Sequence, residues 1–241
     1  MTASQPGPEL IVALDRPSLA EALALVDQLG DACQFYKVGL ELFTAVGPAA
    51  VEAVRDRGAD VFLDLKLHDI PATVRGAARR AAALGVRLLT VHASGGTAMV
   101  QAAVEGGGGA GQCGILAVTV LTSLDAAALG AAWGREGVRI EADVERLAGL
   151  AAAAGAHGVV CAGTEVAAVR DAWPGLVPLV PGLRMPGDAS HDQARVVTPA
   201  AAVAAGARYL VLGRAVTAAP DPRAAMARVR TSLDGPAPLA A

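Results

Sequence analysis

The sequence predicts an α/β chain forming a single-domain (β/α)8 barrel, the TIM-barrel architecture. Three observations lead there. Short β-branched apolar runs alternate with longer Ala/Leu-rich stretches of helical character. The runs are apolar throughout, as in a parallel sheet covered on both faces. Eight such units fit in about 230 residues, close to the usual size of this barrel.

Strands are predicted at Glu9–Asp15, Phe35–Gly39, Asp60–Lys66, Leu88–Ala93, Ile115–Val120, Gly158–Gly163, Val177–Pro181 and Tyr209–Arg214. Helices are predicted to begin near Ser18, Glu41, Pro71, Thr97, Asp143, Thr164 and Thr198, with a last one near Asp221. Ser18, Thr164 and Thr198 suit N-caps, because a hydroxyl accepts a free N–H of the first turn, and Pro199 suits that first turn. Gly58, Gly85, Gly155 and Gly206 suit helix C-termini. The competing arrangement is an open doubly wound sheet. It is disfavoured because Arg16-Pro17-Ser18, not GxGxxG, follows the first strand. Residues 1–8 are read as a disordered N-terminus, 9–230 as the barrel and 231–241 as a flexible tail. Gly106–Gly111 is read as a flexible loop.

Composition narrows the function. Of 241 residues 54% are hydrophobic, too many for a disordered chain, yet no apolar run approaches a membrane span. A net charge of −3 argues against a protein that grips nucleic acid through overall charge. Cys33, Cys113 and Cys161 are odd in number and far apart, so no disulfide framework is expected. With no signal-peptide pattern at the start, a soluble cytoplasmic protein is expected. Eighteen arginines stand against two lysines, Lys37 and Lys66. A bias that swaps surface Lys for Arg leaves lysine where chemistry needs an ammonium, which can give up a proton where a guanidinium cannot.

In a barrel the chemistry lies at the C-terminal strand ends. Those ends carry Asp15, Lys37, Asp64 with Lys66, His92, Thr122 with Ser123, Pro181–Gly182 and Gly213–Arg214. In Asp64-Leu65-Lys66-Leu67-His68-Asp69, residues i and i+2 share a face, so Asp64 and Lys66 point into the mouth and Asp69 follows just beyond. With Lys37 from the adjacent strand, a Lys–Asp–Lys–Asp array is expected. The bland alternative is a salt-bridge cluster closing the barrel top. As chemistry, Asp64 would repel a substrate carboxylate, and Lys66 would stabilise and then protonate the carbanion left when CO2 departs. Near Arg184, some fifteen residues up to His191, Gln193 and Arg195 read as a lid. Gly213 and Arg214, at the end of strand eight, suit a phosphate cradle.

These residues are matched in one family. The chain resembles bacterial-type orotidine 5′-monophosphate decarboxylase along nearly its whole length. The resemblance runs from Val12-Ala13-Leu14-Asp15 through Phe62-Leu63-Asp64-Leu65-Lys66-Leu67-His68-Asp69-Ile70-Pro71, Val91-His92-Ala93-Ser94-Gly95-Gly96, Val118-Thr119-Val120-Leu121-Thr122-Ser123 and Pro181-Gly182-Leu183-Arg184 to Gly213-Arg214. It implies a homodimeric barrel converting orotidine monophosphate to UMP and CO2 without metal or organic cofactor. By that resemblance Lys66 is the proton donor, Asp64 lies by the scissile carboxylate, and Lys37 bridges the ribose and Asp64. Asp69 and Thr73 reach the partner subunit's site, and Asp15 binds a ribose hydroxyl. Thr122 and Ser123 meet the pyrimidine. Gln193, with Arg184, Gly213 and Arg214, holds the phosphate end, and Pro181 is counted among the substrate-binding residues. Ala72, where the family usually has Asn, weakens the expected subunit-crossing contact. His191-Asp192-Gln193, in place of Gly-Asp-Gln, alters the lid.

Several residues have plainer readings. His92 is read as a hydrogen-bonded structural histidine, and no metal site is expected from His68, Asp69 and His92, because Lys66 would repel a cation. Trp133 and Trp173 are read as packing or surface residues and Cys161 as core. The nearest enzyme rival is a Mg²⁺-dependent sugar-phosphate decarboxylase or aldolase of the same superfamily; a lysine at position 37 would repel its ion. Imine formation by Lys66 would need a neutral amine, which flanking carboxylates disfavour. A catalytically silent nucleotide-binding barrel is disfavoured by the intact Asp64, Lys66 and Asp69.

Overall fold

The structure is a computed structural model that describes residues 7–109, 112–185 and 197–234. Eight parallel strands close into a barrel in sequence order. They are β1 (Glu9–Ala13), β2 (Phe35–Gly39), β3 (Asp60–Leu67), β4 (Leu88–His92), β5 (Gly114–Val118), β6 (Gly158–Val160), β7 (Val177–Val180) and β8 (Tyr209–Leu212). Outside them run α1 (Leu19–Leu29), α2 (Leu40–Val46), α3 (Ala49–Arg55), α4 (Pro71–Ala83), α5 (Thr97–Gly106), α6 (Ala126–Trp133), α7 (Ile140–Ala153), α8 (Val166–Ala172), α9 (Pro199–Ala205), α10 (Arg214–Thr217) and α11 (Pro222–Asp234). Among the described residues no helix is long and apolar enough to cross a membrane.

Strand alternation divides the core in two. Ile11, Ala13, Phe35, Phe62, Leu88, Leu116, Val118, Val160, Leu179, Tyr209 and Val211 fill the barrel interior. The alternate residues, such as Leu10, Val12, Tyr36, Val38, Leu63 and Leu89, pack outward against the helices. A charged network crosses the N-terminal end. Arg87 bonds Glu9 and Asp60 and lies 4.8 Å over the Phe35 ring, and Arg208 also reaches Glu9. This end is closed by ion pairs and an aromatic, so the opposite end is the open one.

Caps fall where expected in two of three cases. Ser18 accepts from Glu21 N–H and Thr198 from Ala201 N–H. Thr164 is not a cap: it lies inside a short 3-10 turn, and Glu165 takes the Ala162 N–H instead. The helix expected near Glu41 is two, because Gly47 at φ 62° turns the chain and Pro48 cannot continue a helix. The sequence reading also missed α6, which is capped by Asp125, and the single turn α10. The chain is helical up to Asp234, so four residues assigned to a tail belong to α11, whose Asp221 caps the Ala224 N–H.

The inner packing makes a specific demand at β6. A Cβ on Gly158 would lie 2.0 Å from the Val177 carbonyl oxygen of β7. Gly158→Ala is therefore predicted to destabilise the fold by at least the ~1–3 kcal/mol of an overpacked core. Gly175→Ala, with open space around its Cβ, should stay within ~0.5 kcal/mol. Urea unfolding of the two variants checks this.

Candidate active site

The inward stripe of each of the first four strands begins apolar and ends polar. Ile11 and Ala13 lead to Asp15, Phe35 to Lys37, Phe62 to Asp64, and Leu88 to Thr90 and His92. The β1–β2 register sets Ala13 beside Lys37, and the β2–β3 register sets Lys37 beside Phe62. The result is a chain of opposite charges at the C-terminal mouth. Asp15 Oδ1 lies 2.7 Å from Lys37 Nζ, Lys37 Nζ lies 3.7 Å from Asp64 Oδ2, and Lys66 Nζ reaches both Asp64 oxygens at 2.7 and 2.8 Å.

The Asp64–Lys66 contact depends on an irregular strand. Leu63 pairs with Leu89 and Leu67 with Val91, so Asp64, Leu65 and Lys66 of β3 face the single residue Thr90 of β4. Lys66 stands at φ 50°, the one non-glycine with positive φ among the described residues. A strand residue two positions on lies about 6.6 Å away along the chain. The bulge turns Lys66 back, so that its ammonium closes on the carboxylate two residues before it. Leu63 still packs outward in the helix layer, and Leu65 and Leu67 pack against it, as expected.

Two residues that the sequence reading passed over complete this arrangement. Thr90, fully buried, donates to Asp64 Oδ1 at 2.8 Å and accepts the Lys66 backbone N–H at 2.9 Å. The signal was available: a polar residue in Leu88-Leu89-Thr90-Val91-His92, on the same strand face as His92. Gly39 leaves room for the first link, since a Cβ there would come within 2.7 Å of both Asp15 Oδ1 and Lys37 Nζ.

Asp64 is 8% exposed. Burial opposes its ionisation. The Lys37 and Lys66 ammonium groups, with hydrogen bonds from Lys66 and Thr90, outweigh that and hold the carboxyl below its ordinary 3.8. His92 is half-buried; burial, His68 and Lys66 lower its pKa, so it is neutral near pH 7. Its ring lies 5.5 Å from that of His68. The hydrogen bond expected of it is absent among the described residues.

A cleft of about 580 Å³ opens from Asp15 past Pro181, Gly182 and Arg184 to Gly213 and Arg214. Arg184 is buried, and Arg214 begins α10 at the surface. Arg16, which the sequence reading did not single out, lines the same cleft and bonds the Thr217 carbonyl at 2.6 Å. Thr122 is half-buried and Ser123 exposed beyond β5. Gln193, His191 and the lid expected around them lie outside the described residues.

Asp69 corrects the expected array. It is exposed and its Oδ1 accepts the Ile70 N–H at 2.6 Å, so within this chain Asp15, not Asp69, is the second acid beside the lysines. The reason is local: the chain leaves β3 after Leu67 and turns into α4 at Pro71, which carries Asp69 outward. Thr73 sits on the exposed side of α4, and Ile70 between them is 66% exposed. Trp133 lies beneath the guanidinium groups of Arg135 and Arg146, and Cys161 is core.

Residues 8–229 match the family described as orotidine 5′-phosphate decarboxylase / HUMPS. A relative from Anaeromyxobacter sp. (strain K), an orotidine 5′-phosphate decarboxylase, is 55% identical over 95% of this chain and 100% of its own length. One of the same name from Halorhodospira halophila is 53% identical over 95% and 98%. The crystal structure of orotidine 5′-phosphate decarboxylase from Lactobacillus acidophilus superposes with a TM-score of 0.83 at 33% identity, covering 95% of this chain and 100% of that one.

The Asp64 electrostatics set a pH dependence. A carboxyl whose pKa is lowered by folding contributes stability that is complete above its unfolded value, near 3.9, and is lost as pH falls through the lower folded value. Asp64→Asn is predicted to cost about 3 kcal/mol at pH 7. In urea unfolding across pH, the gap between the two proteins should hold down to about pH 5 and shrink below about pH 4. An undiminished gap at pH 3 contradicts this.

Proposed function

The chain belongs to the orotidine 5′-phosphate decarboxylase / HUMPS family, and from that membership we propose that Lys66 and Asp64 carry its chemistry. It is a carboxy-lyase that takes orotidine 5′-phosphate to UMP and CO2 in pyrimidine biosynthesis. The observation that carries the reading is the Lys66 ammonium, seated on both oxygens of a buried carboxylate at the catalytic end of the barrel.

The substrate's carboxylate is placed beside Asp64. The two negative charges repel in the bound state, and the repulsion vanishes as neutral CO2 leaves. The carbon–carbon bond breaks with its electron pair staying on C6 of the pyrimidine. The Lys66 ammonium, already oriented by its bonds to Asp64, stabilises that pair and then gives C6 a proton. Lys66 is left as a neutral amine and regains its proton from water. Lys37, between Asp15 and Asp64, pairs with both acids and reaches the ribose, with Asp15 accepting from a ribose hydroxyl. Arg184, Arg214 and Gly213, at the far end of the same cleft, take the phosphate, with Pro181 lining the path and Gln193 joining them. Thr122 and Ser123 meet the pyrimidine.

Asp69 and Thr73 are assigned to the site of a second copy of the chain. Asp69, in the turn before α4, and Thr73, in its first turn, are exposed, and Ile70 between them is a large apolar residue left open to solvent, as a homodimer face would require. A Mg²⁺-dependent activity of the wider family is disfavoured by the charges: a divalent ion beside Asp64 would meet two ammonium groups. Three buried free cysteines fit a cytoplasmic enzyme.

The deciding experiment follows loss of the orotate chromophore in chelator-treated protein. Wild type is predicted to turn over at full rate, and activity restored only by Mg²⁺ would contradict the assignment. Lys66→Ala should lose turnover by at least the ~10²–10⁴-fold of a general acid while still binding UMP; retained turnover removes Lys66 from its role. Mixing inactive Lys66→Ala with inactive Asp69→Ala should restore part of the activity through hybrid dimers that hold one intact site. No recovery would mean that Asp69 does not cross the interface.

A further inference from the structure

Thr90 stands at the one place where β4 faces three residues of β3, and the chemistry above leaves it without a role. Its hydroxyl makes two bonds of opposite sense, donating to the Asp64 carboxylate and accepting the Lys66 backbone N–H. A hydroxyl does both at once; a methyl of the same size does neither. We propose that Thr90 is a positioning residue for the decarboxylation, its hydroxyl fixing the Asp64 carboxylate and holding Lys66 in its left-handed backbone so that the ammonium stays on the carboxylate. The proposal rests on the roles given to Asp64 and Lys66.

Two features support it. A left-handed backbone is unfavourable for a residue with a Cβ and persists where its surroundings hold it. The bulge takes the Lys66 N–H out of the ladder, and Thr90 Oγ1 is the acceptor that receives it. At the carboxylate, Oδ1 receives both the Thr90 hydroxyl and the Lys66 ammonium, while Oδ2 faces Lys66 and Lys37. Without the hydroxyl, Oδ1 loses a neutral donor that fixes its rotation, and the Lys66 backbone loses its anchor. The ammonium would then sample positions away from the reacting carbon, which lowers kcat more than it weakens binding, because the phosphate and ribose contacts lie elsewhere in the cleft.

A pH effect follows with a definite sign. Asp64 is faced by Lys37 from β2, Lys66 from β3, Thr90 and the His92 ring from β4, and, through Lys37, Asp15 beyond β1. The Thr90 hydrogen bond favours the ionised carboxyl, so removing it raises the pH at which Asp64 protonates.

The test compares Thr90→Val, which keeps the shape and loses the hydroxyl, with Thr90→Ser, which keeps the hydroxyl. Thr90→Val is expected to lower kcat about 10- to 100-fold, the range for losing a hydrogen bond to a charged group, with little change in KM. The acid limb of its kcat/KM profile should move to higher pH. Thr90→Ser should recover most of the lost kcat and return the limb toward its wild-type position. Wild-type kcat and pH profile in Thr90→Val overturn the proposal. So does a Thr90→Ser enzyme as impaired as Thr90→Val, because shape would then be the cause. If Thr90→Val does not fold, as judged by UMP binding, Thr90→Ala against Thr90→Ser asks the same question. Lys66→Ala separates the two layers. An inactive Lys66→Ala beside a normal Thr90→Val removes only the role of Thr90, whereas an active Lys66→Ala removes the mechanism beneath it.

Discussion

The contact on which the site depends is the one between the Lys66 ammonium and both oxygens of Asp64, made within three residues of a single strand. A regular strand would hold the two side chains parallel and apart. The bulge opposite Thr90 and the left-handed backbone at Lys66 fold them onto each other. The strain is placed where the proposed chemistry occurs, as locally irregular backbone often is.

The rest of the barrel makes that contact tolerable. Burying a carboxylate is costly unless it is paired and hydrogen-bonded. Asp64 has Lys37 on one side, Lys66 on the other and the Thr90 hydroxyl beside it, and Asp15 balances Lys37. Apolar layers beneath, from Ile11, Phe35, Phe62 and Leu88, keep water away from the lower side of the array. The Glu9, Arg87, Asp60 and Arg208 network closes the other end, so the mouth is the face left for a ligand.

Much of this was legible from the chain. Parallel strands buried on both faces leave apolar runs that alternation cannot mimic, and all eight lie where those runs predict them; β2 has the predicted bounds and the other seven differ at an end by one to three residues. Asp64, Lys66, Lys37 and Asp15 could be read as strand ends. The partners they choose could not. Spacing along the chain groups Asp69 with the lysines, but a turn into α4 intervenes and aims it outward. The bulge has no residue signature, since Lys66 is neither glycine nor asparagine. Thr90 and Gly39 matter through what they touch across strands, which one sequence does not state. The Ala-rich α6 has no polar face to announce it, and Gly47-Pro48 divides a helix whose composition reads as continuous.

The most direct measurement of the central claim is a crystal structure of the protein with UMP bound. The account predicts Lys66 Nζ within about 3.5 Å of pyrimidine C6 while still bonded to Asp64, with the Asp64 carboxylate on the side where CO2 would leave. A complex in which Lys66 points away from the ring, or in which the bulge opposite Thr90 has straightened and separated it from Asp64, would contradict it.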